Sequence, residues 1–214
     1  MALPPWPTLA GLLPLEWLIL PAAVEATAAP AAISGLIPMP WWAAGRYEGA
    51  LRARLLGLRR ELRPQRLEPL VAVIATVLRE LAADRPAAAR PLLVPIPSWK
   101  RRANPLPPLV AQLLARELDW PRGQILERSH PVLGQHRLNR ELRWANQQDA
   151  FRSLMQAHQD RRGRRPVLLV DDILTTGATA CSAAMALRQA GWRPLGLACL
   201  ARTPSPPPQK KAVI

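Results

Sequence analysis

Cysteine and histidine are scarce in this chain of 214 residues: two cysteines, Cys181 and Cys199, and three histidines, His130, His136 and His158. None falls in the close, repeated spacing of a metal site. Two cysteines in separate predicted elements do not make a disulfide framework. The expectation is a pair of small buried thiols, in keeping with a reducing cytoplasm, and histidines at the surface. No lysine or arginine precedes Arg46, so the apolar stretch 9–24 has no basic flank, and the pattern is not that of a secretory signal. Pro14, Glu16 and Pro21 interrupt that stretch, and no uninterrupted apolar run reaches the length of a membrane span. The reading is a cytoplasmic chain without stable membrane insertion.

What the chain does have is apolar residues, proline and arginine. A hydrophobic content of 49% is enough for a core, and the length suits one α/β domain with an appendage. The charge is one-sided. All 29 basic residues fall in residues 46–214, against 13 of the 15 acids, a net of +16 there. An excess of this size favours anionic partners such as pyrophosphate or nucleic acid, and a solvated arginine-rich surface accounts for it equally well.

Residues 1–45 are rich in Pro, Ala, Leu and Trp. Trp6, Trp17, Trp41 and Trp42 mark them as an irregular or helical segment packed against something, unlike a free linker. Residues 46–202 read as the main domain, and the proline-rich residues 203–214 as a disordered tail. Leu51, Leu55, Leu58 and Leu62 recur at helical spacing and predict a helix over 46–62 that Pro64 ends. Further helices are expected over 66–83, 105–118, 137–148 and 180–190. Strands are expected at 92–94, 123–126, 149–153, 167–172 and 193–200. Strands that alternate with helices predict a mostly parallel sheet flanked by helices.

The chemistry concentrates in one run. Val167, Leu168, Leu169 and Val170 read as a buried strand, Asp171 and Asp172 follow at its carboxyl end, and Thr175-Thr176-Gly177-Ala178-Thr179 leads into a helix. Open α/β sheets bind ligands at that edge. A helix N-terminus offers N–H groups and a positive dipole end to a phosphate, and the three threonines add hydroxyls. Ionised carboxylates accept hydrogen bonds and repel phosphate, so the acids suit the vicinal hydroxyls of a sugar. The Gly-Lys-Ser/Thr ending of a nucleoside triphosphate loop is missing, as is the three-glycine dinucleotide fingerprint.

This run resembles the 5-phosphoribosyl-1-pyrophosphate (PRPP) motif of type I phosphoribosyltransferases. The resemblance implies that fold, with Asp171 and Asp172 on the ribose hydroxyls, Thr175, Thr176, Gly177, Ala178 and Thr179 around the 5′-phosphate, and Mg²⁺ bound with PRPP. Other segments are similar to one branch, the ComF family: Tyr47-Glu48-Gly49-Ala50-Leu51-Arg52; Val94-Pro95-Ile96-Pro97 with the basic Lys100-Arg101-Arg102; and Gln135, Leu138, Arg143, Asn146, Ala150 and Phe151 at their spacings. Two departures stand out. The four cysteines of that family's zinc ribbon are missing, so no zinc is expected. The family's Gly-Phe-Asn-Gln core is replaced by Ala103-Asn104-Pro105-Leu106-Pro107-Pro108.

Lys100, Arg101 and Arg102 follow a strand end and are candidates for pyrophosphate or DNA contacts. Arg137, Arg140 and Arg143 stand three apart and can cover an anion, face DNA or face solvent. Trp99, Trp120 and Trp144 neighbour basic residues, as base-stacking groups do, with core packing the commoner role. The ComF resemblance implies cytoplasmic handling of incoming single-stranded DNA in natural transformation, with competence or recombination proteins as partners. The alternatives are an active phosphoribosyltransferase of nucleobase metabolism and a non-catalytic PRPP-binding regulator. Catalytic residues, acceptor base and oligomeric state stay open.

Overall fold

A computed structural model describes residues 32–83, 90–98, 104–129, 150–157 and 165–204. They form an α/β unit. Its main sheet has five strands in the order β1 (Ile33–Gly35), β2 (Trp41–Ala43), β7 (Arg193–Arg202), β6 (Pro166–Leu174), β3 (Leu92–Pro95). The β1–β2 pairing is antiparallel, and the other three are parallel. A separate antiparallel pair joins β4 (Leu126–Arg128) to β5 (Phe151–Ser153).

The helices are α1 (Gly49–Arg60), α2 (Glu68–Leu81), α3 (Leu106–Leu118) and α4 (Ala178–Gln189). The sheet separates two apolar cores. In one, Leu55 and Leu58 of α1, Val71, Ile74 and Leu78 of α2 and Leu106, Val110 and Leu114 of α3 pack on Leu168 and Val170. In the other, Ala180, Ala183, Ala184 and Leu187 of α4 pack with Leu126 and Phe151 on Val167 and Leu169. Alternate β6 residues thus face opposite cores, as the strand period requires. A strand covered on both faces is apolar throughout, hence the unbroken run Val167–Val170. Leu168 and Leu169 are fully buried, each worth about 1.5–3 kcal/mol. The alanines of α4 let that helix lie close to the sheet.

The helices and strands read from hydrophobic pattern are present where they fall among the described residues, except that the strand expected at 123–126 lies instead at Leu126–Arg128 and shares only Leu126 with that expectation. The expected helix over 137–148 lies outside them. The N-terminal segment differs from its expected form. Residues 33–35 and 41–43 are strands, and β2 is a member of the main sheet, with Trp41, Trp42 and Ala43 opposite Leu197, Ala198 and Cys199. Three-residue strands flanked by Pro38 and Pro40 are too short to show a period of two. Gly196 admits the chain here, since a Cβ on it would lie 2.5 Å from the Pro40 carbonyl oxygen. Trp42 and Trp120 are core residues. Trp6, Trp17, Trp99, Trp144 and the three histidines lie outside the described residues.

Both cysteines are buried thiols, as expected. Burial pushes Cys181 up to about 12. Burial, then the charge of Asp171, raises Cys199 as well. Since the thiolate is the reactive form, neither should react with an aromatic disulfide reagent at pH 8 until denaturant is added, when both should. Prompt labelling of the native protein would refute this burial. No helix among the described residues is long and apolar enough to cross a membrane.

Candidate functional site at the carboxyl edge

The acid pair stands at the carboxyl end of β6, between β7 and β3. Each carboxylate folds back on the next backbone N–H: Asp171 Oδ1 accepts from Asp172 N at 2.8 Å, and Asp172 Oδ1 from Ile173 N at 2.8 Å. Asp172 is 4% exposed. Its Oδ2 accepts from Arg59 Nη2 at 2.6 Å, Arg59 Nε at 3.0 Å and Asn104 Nδ2 at 2.7 Å. A carboxylate this buried needs partners for its lone pairs, and these donors supply them.

Asp171 is in a different position. Burial, then the charge of Asp172, pushes its carboxyl well above the ordinary value of 3.8, against the pull of the Asp172 N–H and of Arg59. Arg128, at the end of β4, adds a third element. Its Nε donates to the Pro97 carbonyl at 3.0 Å, and its guanidinium lies 4.4 Å from the centre of the Phe151 ring. Burial lowers Arg128 to about 10 against the opposing charge of Asp171, which leaves it a cation at neutral pH.

Three side chains that the sequence reading left without a role therefore belong to this site: Arg59, Asn104 and Arg128. Asn104 carried a local signal. An Asn before Pro at a helix start forms an Asx turn, and its Oδ1 indeed accepts the Leu106 N–H at 3.1 Å. Arg59 carried none, because its partner is 113 residues away.

The loop after β6 begins at Leu174 and enters α4 through Gly177, whose φ is +84°. A Cβ on Gly177 would lie 2.2 Å from Pro38 Cγ, so the segment before β2 packs directly on the loop. The other side is braced by Arg202 Nη1, which donates to the carbonyls of Leu174 (3.2 Å) and Thr175. Ala178 N donates to Thr176 Oγ1 at 3.4 Å. Thr175, Thr176, Gly177, Ala178 and Thr179 thus form a braced turn that ends at the N-terminus of α4, on the same edge of the sheet as the acids.

Lys100, Arg101, Arg102, Arg137, Arg140 and Arg143 lie outside the described residues. No protein-family model matches the chain, and no curated protein matches it either.

Proposed function

We propose that this chain is a type I phosphoribosyltransferase-like protein of the ComF type. It binds PRPP or a related ribose 5-phosphate at the carboxyl edge and acts in the cytoplasm on incoming single-stranded DNA during natural transformation. The observation that carries the reading is the acid pair at the end of β6, followed within three residues by a braced small-residue turn into α4. Vicinal hydroxyls have an acceptor in Asp171, while at Asp172 they would take the place of the Arg59 and Asn104 donors that fill its Oδ2; the 5′-phosphate has the α4 N-terminus and the threonine hydroxyls.

Mg²⁺ would take a hard oxygen donor from Asp171 beside the phosphate oxygens of the ligand, since the Asp172 oxygens already accept from Arg59, Asn104 and the Ile173 N–H. When bound, it neutralises the pyrophosphate charge. In a transfer reaction the chain's own part is positioning and charge stabilisation. Asp171 orients the ribose, with Asp172 joining it only where the hydroxyls displace its Arg59 and Asn104 donors, and Arg59 and Arg128 supply fixed positive charge beside them. The direct test is calorimetric titration of the protein with PRPP, with and without Mg²⁺, beside the Asp171→Asn/Asp172→Asn double variant. Binding that the double variant loses supports the pocket; equal affinity defeats it.

The DNA role rests on the +16 charge of residues 46–214. Replacing Lys100, Arg101 and Arg102 with Ala together should flatten the salt dependence of single-strand binding by about 2 in log–log slope. An unchanged slope removes them from the DNA path.

A further inference from the structure

Asp172 Oδ2 is over-subscribed. An ionised carboxylate oxygen offers about two lone-pair sites. Three N–H groups converge on this one: Arg59 Nη2 at 2.6 Å, Arg59 Nε at 3.0 Å and Asn104 Nδ2 at 2.7 Å. Arg59 therefore spends two donors on a single oxygen, while Oδ1 is taken by the Ile173 N–H. The stronger arrangement for a guanidinium is a fork, in which two N–H groups meet two oxygens of one anion. Arg59 can turn to such an anion without movement of α1. Its stem leaves the last turn of that helix, which Leu55 and Leu58 anchor in the core, and its side chain is 38% exposed. The two flanks of the edge also differ. α4 packs on one face of the sheet and brings its N-terminus there. α1 and α3 pack on the other face, with Arg59 near the end of α1 and Asn104 just before α3.

We propose that Arg59 is a specificity residue that changes partner on ligand binding: it holds Asp172 in this structure and passes to a phosphoryl group at the C1 end of the ligand. The inference rests on reading the edge as a ribose-phosphate site. A ligand whose 5′-phosphate sits at the α4 N-terminus lies across the end of β6, with its C1 end on the α1 and α3 side. Its hydroxyls can replace the N–H donors on Asp172, but they are neutral. A guanidinium that leaves its carboxylate without finding a new anion loses its strongest contacts. Ribose 5-phosphate offers Arg59 nothing on that side, so it binds at that cost or leaves Asp172 unused. A pyrophosphate at C1 supplies the two oxygens of a fork as the diol takes Asp172. The exchange keeps the positive charge at the edge, and neither the acid nor the guanidinium ends without a partner. Selection for a second anion is thus built into the contact between Arg59 and Asp172.

The test is calorimetric titration of the full-length protein with PRPP and with ribose 5-phosphate, both with Mg²⁺, for the parent chain, Arg59→Gln and Arg59→Lys. The expected result is a parent preference for PRPP that falls about tenfold or more in Arg59→Gln, with ribose 5-phosphate held equally well or more tightly. Arg59→Lys, which keeps the charge and loses the fork, should fall between the two. The Arg59 Nε–Hε resonance, assigned by its loss in Arg59→Lys, should move as PRPP saturates the parent protein. A merely structural arginine weakens both ligands by the same factor, and that result would overturn the proposal. So would an unchanged preference, or an Nε–Hε resonance that stays in place at saturating PRPP. Each of those results, with ribose phosphate still bound, leaves the PRPP pocket standing. Failure of both ligands to bind the parent and Arg59→Gln alike would remove the pocket and this role with it. Where Arg59→Gln does not fold, the Arg59→Lys titration and the resonance decide.

Discussion

Gly177→Ala should be the most damaging single substitution in the loop, with a loss of about 2–5 kcal/mol. Two independent penalties add. The backbone at 177 is left-handed, with φ at +84°, where a Cβ costs about 1–2 kcal/mol. The new methyl would also sit 2.2 Å from Pro38 Cγ and 2.8 Å from its Cδ, inside van der Waals contact with a stiff ring. Relief requires moving either Pro38, and with it the start of β2, or the turn into α4. At a domain of this size the melting temperature should fall by roughly 5–15 °C. The two terms separate in a double-variant cycle. Pro38→Ala in the Gly177→Ala background should recover the steric part and leave the strain. A melting temperature within about 2 °C of the parent would show that the turn is not held as described. Ribose 5-phosphate affinity should fall further than stability alone implies, because the displaced turn carries the proposed phosphate donors.

Adjacent acids should respond to the same substitution with opposite signs. Asp172→Asn removes the acceptor for both Arg59 nitrogens and for Asn104, and should destabilise the fold by about 1–3 kcal/mol. The figure is held down because Arg59 keeps solvent access. Asp171→Asn removes a carboxyl that burial and its neighbour both oppose, and should be neutral or stabilising. The pH dependence carries the same sign. A group whose folded pKa lies above its unfolded value binds more protons when folded, so its contribution to stability is complete below about 4 and is lost as pH rises through the folded pKa. Asp171→Asn should therefore flatten the decline in stability above pH 4, and Asp172→Asn should do so only in part, because it removes the neighbouring charge and leaves the burial. If ligand binding needs ionised Asp171, PRPP affinity should rise with pH over that same interval and release a proton measurable by buffer-dependent calorimetry. Identical effects of the two substitutions would defeat this assignment of unequal environments.

The legible and illegible parts of this protein divide by sequence distance. The β6 strand, its acids, the small-residue turn and α4 form one contiguous run, and their order alone puts carboxylates and a helix N-terminus on one edge of a parallel sheet. The helical spacing of Leu51, Leu55 and Leu58 marked α1, because amphipathic periodicity is a local property. β1 and β2 were missed for a local reason as well, since three residues do not establish a period.

The partners of the acids could not be read at all. In the sequence Arg59 is one of several arginines within the helix expected over 46–62. That α1 brings it to Asp172 depends on how α1 packs on the sheet through Leu55 and Leu58. Arg128 became part of the edge only because β4 pairs with β5 and reaches Pro97. Pro38 packs on Gly177 because β2 adds to β7.

The sequence by itself determined the alternation of strands and helices, the two-sided burial of β6, and the placement of Asp171, Asp172 and residues 175–179 at one strand end, because each follows from short-range covalent geometry and hydrophobic period. Tertiary structure alone decided which charges surround those acids and why the two differ. Burial and Coulomb interaction depend on distance in space, and the groups that set them lie 113 residues away at Arg59, 68 at Asn104 and more than forty at Arg128.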